Sequence, residues 1–300
     1  MKTDRRHFLQ GATAMGATLA LAQQQPPVDI PKVNFRGKEI TRLLIGSNPF
    51  YGYSHFNSIL DSCMREWYTP ERRVEVLRQA ERTGINTWQV HYNEPCMEDW
   101  TRYRDAGGKM NVLVLADFAL MKDWSLLPSV VKRNPLGIGH HGNRTDERLR
   151  EGKMDQVRDF INAVHDAGAP AGVSCHNPAV VEYIEERGWP VDYYMTCMYR
   201  VSRTVEESRK EFGEASLGEA FMERDPERMC KMVRQTKKTC FAFKLMGAGR
   251  NIRSAESIEA AFANVLKNIK PQDPVIVGVF PKFKDELRQN AEMVRKVTLA

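Results

Sequence analysis

Four of the seven histidines in this chain of 300 residues stand where short apolar runs give way to polar residues: His91, His140, His141 and His176. Asp117 and Lys244 occupy equivalent places after other runs. Imidazoles can exchange protons near neutral pH, and three of them converging can hold a divalent metal with a position left open for substrate. An ammonium at such a place is seldom buried without a partner or a substrate, so Lys244 is a candidate acid or charge stabiliser. Beyond it, "GAGR" (Gly247 to Arg250) combines small residues, whose backbone N–H groups can converge on an anion, with a guanidinium. Lys282 follows the last run. Each also has a plain structural role open to it: His91 and His176 as helix caps, Asp117 as a loop starter, the glycines as a tight turn.

One alternation places these residues. The apolar runs are Arg42–Gly46, Asn86–His91, Asn111–Ala116, Gly137–His140, Ala171–Ser174, Tyr193–Met198, Cys240–Leu245 and Val275–Val279. Each is followed by a polar segment and then a stretch of helical period. Thr69-Pro70-Glu71 starts a helix that stops at Gly84; Val157, Phe160, Ile161 and Val164 line one face of another, which ends at Gly168. Asn177-Pro178 and Ser254 open two more. Eight strand–helix pairs predict an α/β fold, a (β/α)8 TIM barrel over residues 39–300, with chemistry gathered at the C-terminal strand ends. The doubly wound alternative lacks a glycine fingerprint after its first strand. A longer polar insertion, at about 202–225, is expected at the rim or as a lid. In "GIGHHG", side chains alternate across the strand, so His141 goes with Gly137 and Gly139 toward the mouth, and His140 with Ile138 toward the helices.

The bulk figures are those of a soluble globular protein: 42% hydrophobic, 27% charged, net charge +6. Basic residues form no stripe with interleaved aromatics, so nucleic acid is not an expected partner. Residues 1–22 combine a charged start, a Gly/Ala-rich apolar stretch and "ALA" before Gln23. Arg5-Arg6 with Phe8-Leu9 resembles a twin-arginine signal, though Asp4 replaces the usual Ser or Thr. The expectation is export by the twin-arginine machinery, a periplasmic or extracellular location, and no stable membrane insertion after cleavage. Residues 23–38 read as a linker or N-terminal extension, richest in Gln and Pro over Gln23–Pro31. The six cysteines have no close-paired spacing, hence no zinc-ribbon or dithiol signature.

Three stretches resemble the aldo-keto reductase superfamily, in particular its divergent bacterial branches. "TPERRVEVLRQAERTGINTWQVHYN" resembles that family's first helix and second strand. "DAGAPAGVSCHNPAVVEYIEERGWPVDYY" resembles the region of its fifth strand, and "PVIVGVFPKFKDELRQN" its last strand and helix. The resemblance implies a barrel oxidoreductase with a nicotinamide cofactor and an Asp, Tyr, Lys, His tetrad. Only the fourth-strand histidine carries over, at His141. Gln89 stands in place of the aspartate, Glu94 near that of the tyrosine, and Ala116-Asp117 ends the third strand without a lysine.

Three functions follow. The first is an exported oxidoreductase on a carbohydrate or small carbonyl compound. Its tightly held NAD(P) would lie against Gly247, Gly249, Arg250 and Lys282, with His141 and Lys244 at the carbonyl. The second is a non-redox carbohydrate isomerase, epimerase or lyase, in which His91, His141 and His176, with Asp117, would surround a divalent metal. The third is a ligand-binding pseudo-enzyme. All three take a small molecule, such as a sugar, at the barrel mouth.

Overall fold

The computed structural model describes residues 25–300. The leader expected over residues 1–22 lies outside the described residues. Eight short strands, each bounded by turn residues, pair in parallel in chain order: β3 (Leu43–Gly46), β4 (Thr87–His91), β5 (Asn111–Leu115), β6 (Gly137–His140), β7 (Ala171–Cys175), β8 (Tyr193–Cys197), β9 (Thr239–Phe243) and β10 (Val275–Gly278). β10 returns to β3, with Val275 opposite Leu43, and closes the barrel. Parallel neighbours need crossovers, and helices supply them. These are α1 (Ser58–Trp67), α2 (Pro70–Thr83), α3 (Glu94–Asp105), α4 (Phe118–Lys122), α5 (Leu127–Val131), α6 (Gly142–Arg150), α7 (Asp155–Asp166), α8 (Pro178–Glu186), α9 (Val205–Phe212), α10 (Asp225–Gln235), α11 (Ala255–Leu266) and α12 (Glu286–Leu299).

The helix signals work as their chemistry requires. Thr69 caps α2 through a bond from Arg72 N, and Gly84 ends it at φ 108°. Asn177 caps α8 and Ser254 caps α11. In α7, Val157, Phe160, Ile161 and Val164 are all fully buried, a stripe contributing roughly 2 kcal/mol per side chain.

Alternation along the strands sorts two cores. Leu43, Ile45, Val90, Val112, Val114 and Ile138 face the helices, whereas Leu44, Leu113, Leu115, Tyr193, Met195, Phe241 and Ile276 fill the barrel. Tyr193 dominates the interior because three glycines make room for it. A Cβ on Gly172 would lie 2.1 Å from its ring, one on Gly137 2.6 Å, and one on Gly139 3.3 Å from its hydroxyl.

Part of residues 23–38, read from the sequence as a linker or N-terminal extension, is paired in a hairpin. β1 (Lys32–Phe35) and β2 (Lys38–Thr41) form an antiparallel hairpin across the barrel floor. Arg36 and Gly37, at φ 50° and 82°, make the tight turn. Phe35 packs edge-on to Tyr193 and Phe241, at 5.7 and 5.2 Å between ring centres, and seals that end.

At the opposite end the insertion carries α9, opened by a Thr204–Glu207 capping box. Its two limbs are stapled at the base. The buried Arg203 guanidinium donates to both oxygens of Asp225, at 2.6 and 2.7 Å, and to Glu211 at 2.8 Å. The returning limb, Glu219 to Phe221, can therefore reach over the barrel mouth.

Candidate active site

The strand ends place His91, His141, His176 and Lys244 around one space. His140 is not part of it. Its Nδ1 donates to Thr145 Oγ1 at 2.7 Å and its ring stands edge-on to Phe160 in the helix layer. Burial pushes its pKa down to about 3. The doublet thus divides between the two faces of β6, as alternation requires.

His141 turns inward, 6.0 Å from the His91 ring and 6.4 Å from Phe118 between ring centres. Its Nδ1 is buried without a hydrogen-bond partner. Such an atom is costly to leave unmet, so a polar ligand group is its natural partner. Burial outweighs the attraction of Asp117 and lowers its pKa to about 4.

His176, at the end of β7, is held by a carboxylate that sequence reasoning missed. Asp146 on α6 is fully buried and accepts from His176 Nδ1 at 2.8 Å. It also accepts from the backbone N–H groups of His176 and Asn177. The carboxylate fixes Nδ1 as the protonated nitrogen and leaves Nε2 with a lone pair. Burial lowers the His176 pKa against the opposing pull of Asp146, so the ring is a neutral base with a backing carboxylate.

His91 Nε2 lies 2.9 Å from Asn48 Oδ1. The Asn48 amide nitrogen lies 3.1 Å from His55 Nε2, and His55 Nδ1 lies 2.8 Å from Glu219. Neither His55, on the loop after β3, nor Glu219, on the insertion, stood out in the sequence. Burial is the main cause of a His91 pKa near 4, with His141 adding to it.

Lys244 directly follows β9 at φ 61°, a left-handed conformation that disfavours a side chain. Its charge acts on His91, His141, His176, Cys197 and Glu219. Among the described residues its ammonium has no ion-pair partner, and its nearest aromatic ring is Phe243, at 5.8 Å. Strain at a functional group is a recurring mark of a site.

The other expected residues serve differently. Asp117 caps α4 through Phe118 N at 2.7 Å and receives Asn93 at 3.4 Å. Gly247–Gly249 form a 3-10 turn, with Gly247, Ala248 and Gly249 all at positive φ. Arg250 is already engaged: Nη1 donates to the carbonyls of His55 and Gly247, and the guanidinium lies 3.9 Å over Phe221 of the insertion. Lys282 is exposed and sits over Phe283.

Neither proposed cofactor fits this arrangement. Among the described residues no three His, Cys, Asp or Glu side chains converge to hold a metal ion. For a dinucleotide, Arg250 is covered by Phe221 and Lys282 lies on another loop. The cleft of about 500 Å³ beside Arg250 is lined by Asp61 and Glu219, two carboxylates that would repel phosphates. All six cysteines are free thiols.

Compared with known proteins, the sequence matches no family model and no curated protein. Among solved structures it is similar to a truncated 3-deoxy-D-arabino-heptulosonate 7-phosphate synthase from Thermotoga maritima. The TM-score is 0.50 at 14% identity, over 90% of this chain and 91% of that one. It also resembles an N-acetylmannosamine-6-phosphate 2-epimerase from Clostridium perfringens, with TM-score 0.42 and 11% identity over 86% and 93% of the two chains. At such identities the first likeness is one of fold, the closed (β/α)8 barrel. The aldo-keto reductase resemblance is upheld only at that level.

Proposed function

We propose that the chain is a non-redox barrel enzyme, an isomerase, epimerase or lyase, that moves a proton on a carbon next to a carbonyl. Its substrate is a small hydroxylated compound such as a carbohydrate. One observation carries the reading: the Lys244 ammonium, without an ion-pair partner among the described residues, shares the barrel mouth with three histidines that burial keeps neutral. Neutral imidazoles accept protons, and a fixed ammonium stabilises the negative charge that results.

The chemistry balances without a cofactor. The His176 Nε2 lone pair takes the α-proton, and Asp146 stabilises the imidazolium formed. The C–H electron pair moves through the new C=C bond to the carbonyl oxygen, which becomes an enolate facing Lys244. Return of the proton to the former carbonyl carbon, as the neighbouring hydroxyl passes its proton to the enolate oxygen, gives an isomer. Delivery to the other face of a proton that His141 or His91 has taken up from solvent, while His176 gives its own to solvent, yields an epimer. Expulsion of a β-substituent gives a lyase product. The oxidoreductase reading has less support, because no tyrosine or lysine of the tetrad stands at its place and the nicotinamide contacts do not assemble.

The test is solvent exchange. Protein incubated in D2O with a panel of aldoses, ketoses and hydroxy acids should place deuterium on the α-carbon of one class, without added nicotinamide. Lys244→Met should lower the exchange rate by about 10²-fold or more, as removal of an oxyanion donor does. Hydride transfer from NADPH to the same compounds, with no exchange, would refute the proposal. A reaction that consumes no nicotinamide also suits the export we propose from Arg5-Arg6, since it needs no recycling pool.

A further inference from the structure

The chain of contacts from the insertion to the barrel mouth has a direction. Glu219 offers only acceptors to His55 Nδ1 at 2.8 Å, so that nitrogen carries the proton. Asn48 turns its amide nitrogen toward His55 Nε2, 3.1 Å away, so that nitrogen is the acceptor. Asn48 therefore turns its Oδ1 toward His91 Nε2, at 2.9 Å, which must donate. The links follow from the carboxylate at one end and the orientation of the Asn48 amide in the middle. Reversing the chain would need the Asn48 amide turned over, with either both His55 nitrogens protonated or a His55 lone pair set against the carboxylate.

We infer that Glu219 is a positioning residue for His91: acting through His55 and Asn48, it fixes His91 as the Nε2–H tautomer and leaves Nδ1 as its proton acceptor. This deepens the function proposed above and rests on it for the use of His91 in proton transfer to the other face. The links come from distant parts of the chain. Asn48 and His55 lie on the loop after β3, His91 ends β4, and Glu219 belongs to the insertion. The insertion is held down independently, by Arg203 on Asp225 and by Arg250 stacked on Phe221. His55 itself sits at φ 55°, a conformation held against local preference, as expected where a contact dictates geometry. Covering the mouth and setting the base's tautomer are thus one event: when Glu219 leaves His55, the chain loses its polarity.

Nitrogen-15 spectra of the full chain labelled at histidine read the tautomer directly, with His91→Gln identifying the resonances. Wild-type protein at pH 7 should show His91 with a protonated Nε2 and an unprotonated Nδ1. In Glu219→Gln the terminal amide can accept from or donate to His55, so the single-tautomer signature should give way to a mixture. His55→Ala, which cuts the chain at another link, should do the same. Adding Asn48→Asp to Glu219→Gln should restore the original tautomer, since a carboxylate at position 48 accepts from both rings. A wild-type His91 protonated on Nδ1, or a ring unaffected by Glu219→Gln and His55→Ala, overturns the inference. If the tautomers behave as expected but no substrate exchanges deuterium, the positioning stands and the proposed reaction falls.

Discussion

Acidification should unfold this protein through its histidines before its carboxylates, and the structure sets the size of the effect. His91 and His141 have folded pKa values near 4 and His140 near 3, against 6.5 for an unhindered imidazole. The unfolded chain therefore binds more protons below pH 6.5, and stability falls as pH drops from there toward 4. At pH 5 an unfolded histidine is protonated and these three are not, which costs about 2 kcal/mol each. Together that is roughly 5 to 6 kcal/mol, comparable with the whole stability of many domains. His176 shifts the same way. Asp273 and Glu286, whose pKa values burial raises, act in the opposite sense at lower pH. Glu211, held down to about 2 by Arg203, loses its contribution only below pH 4.5. Urea unfolding at steps between pH 7.5 and 5 measures the slope. His140→Asn keeps a donor for Thr145 but cannot titrate, so its slope near pH 5 should be smaller by about one proton, 1.4 kcal/mol per pH unit. A wild-type stability that stays level from pH 7 to 5, or the same slope in the variant, would refute the burial argument.

Two other outcomes are expected. Gly172→Ala should cost about 3 kcal/mol or more, because its Cβ would meet the Tyr193 ring at 2.1 Å. Gly139→Ala, with its nearest atom at 3.3 Å, should cost under about 1 kcal/mol, and equal thermal shifts for the two would contradict the packing described. Replacing Arg5 and Arg6 by lysine should leave the full-length protein in the cytoplasm on cell fractionation; unchanged export would exclude the twin-arginine route.

Much of the barrel was legible because its signals are local. Apolar runs such as Asn111–Ala116, and caps such as Thr69-Pro70, act through neighbours in sequence. The direction of His141 followed from alternation alone. The hairpin at Lys32–Thr41 escaped because its apolar residues are few: Val33, Phe35 and Ile40 stand among Lys, Asn and Glu. What holds the histidines was equally hidden. Asp146 sits five residues past His141 yet serves His176, thirty residues further on. Glu219 meets His55 across 164 positions. Pairings of that kind depend on which loops the closed barrel brings together, and residue type and spacing carry no trace of it.

The aromatic plug of Phe35, Tyr193 and Phe241 makes the barrel a vessel with a single opening. In the proposed reaction substrate and product would share that passage, so one molecule would have to clear before the next is admitted. Relay of an intermediate through the floor to a second protein is closed off. In the reaction proposed, product would compete with substrate for the same doorway.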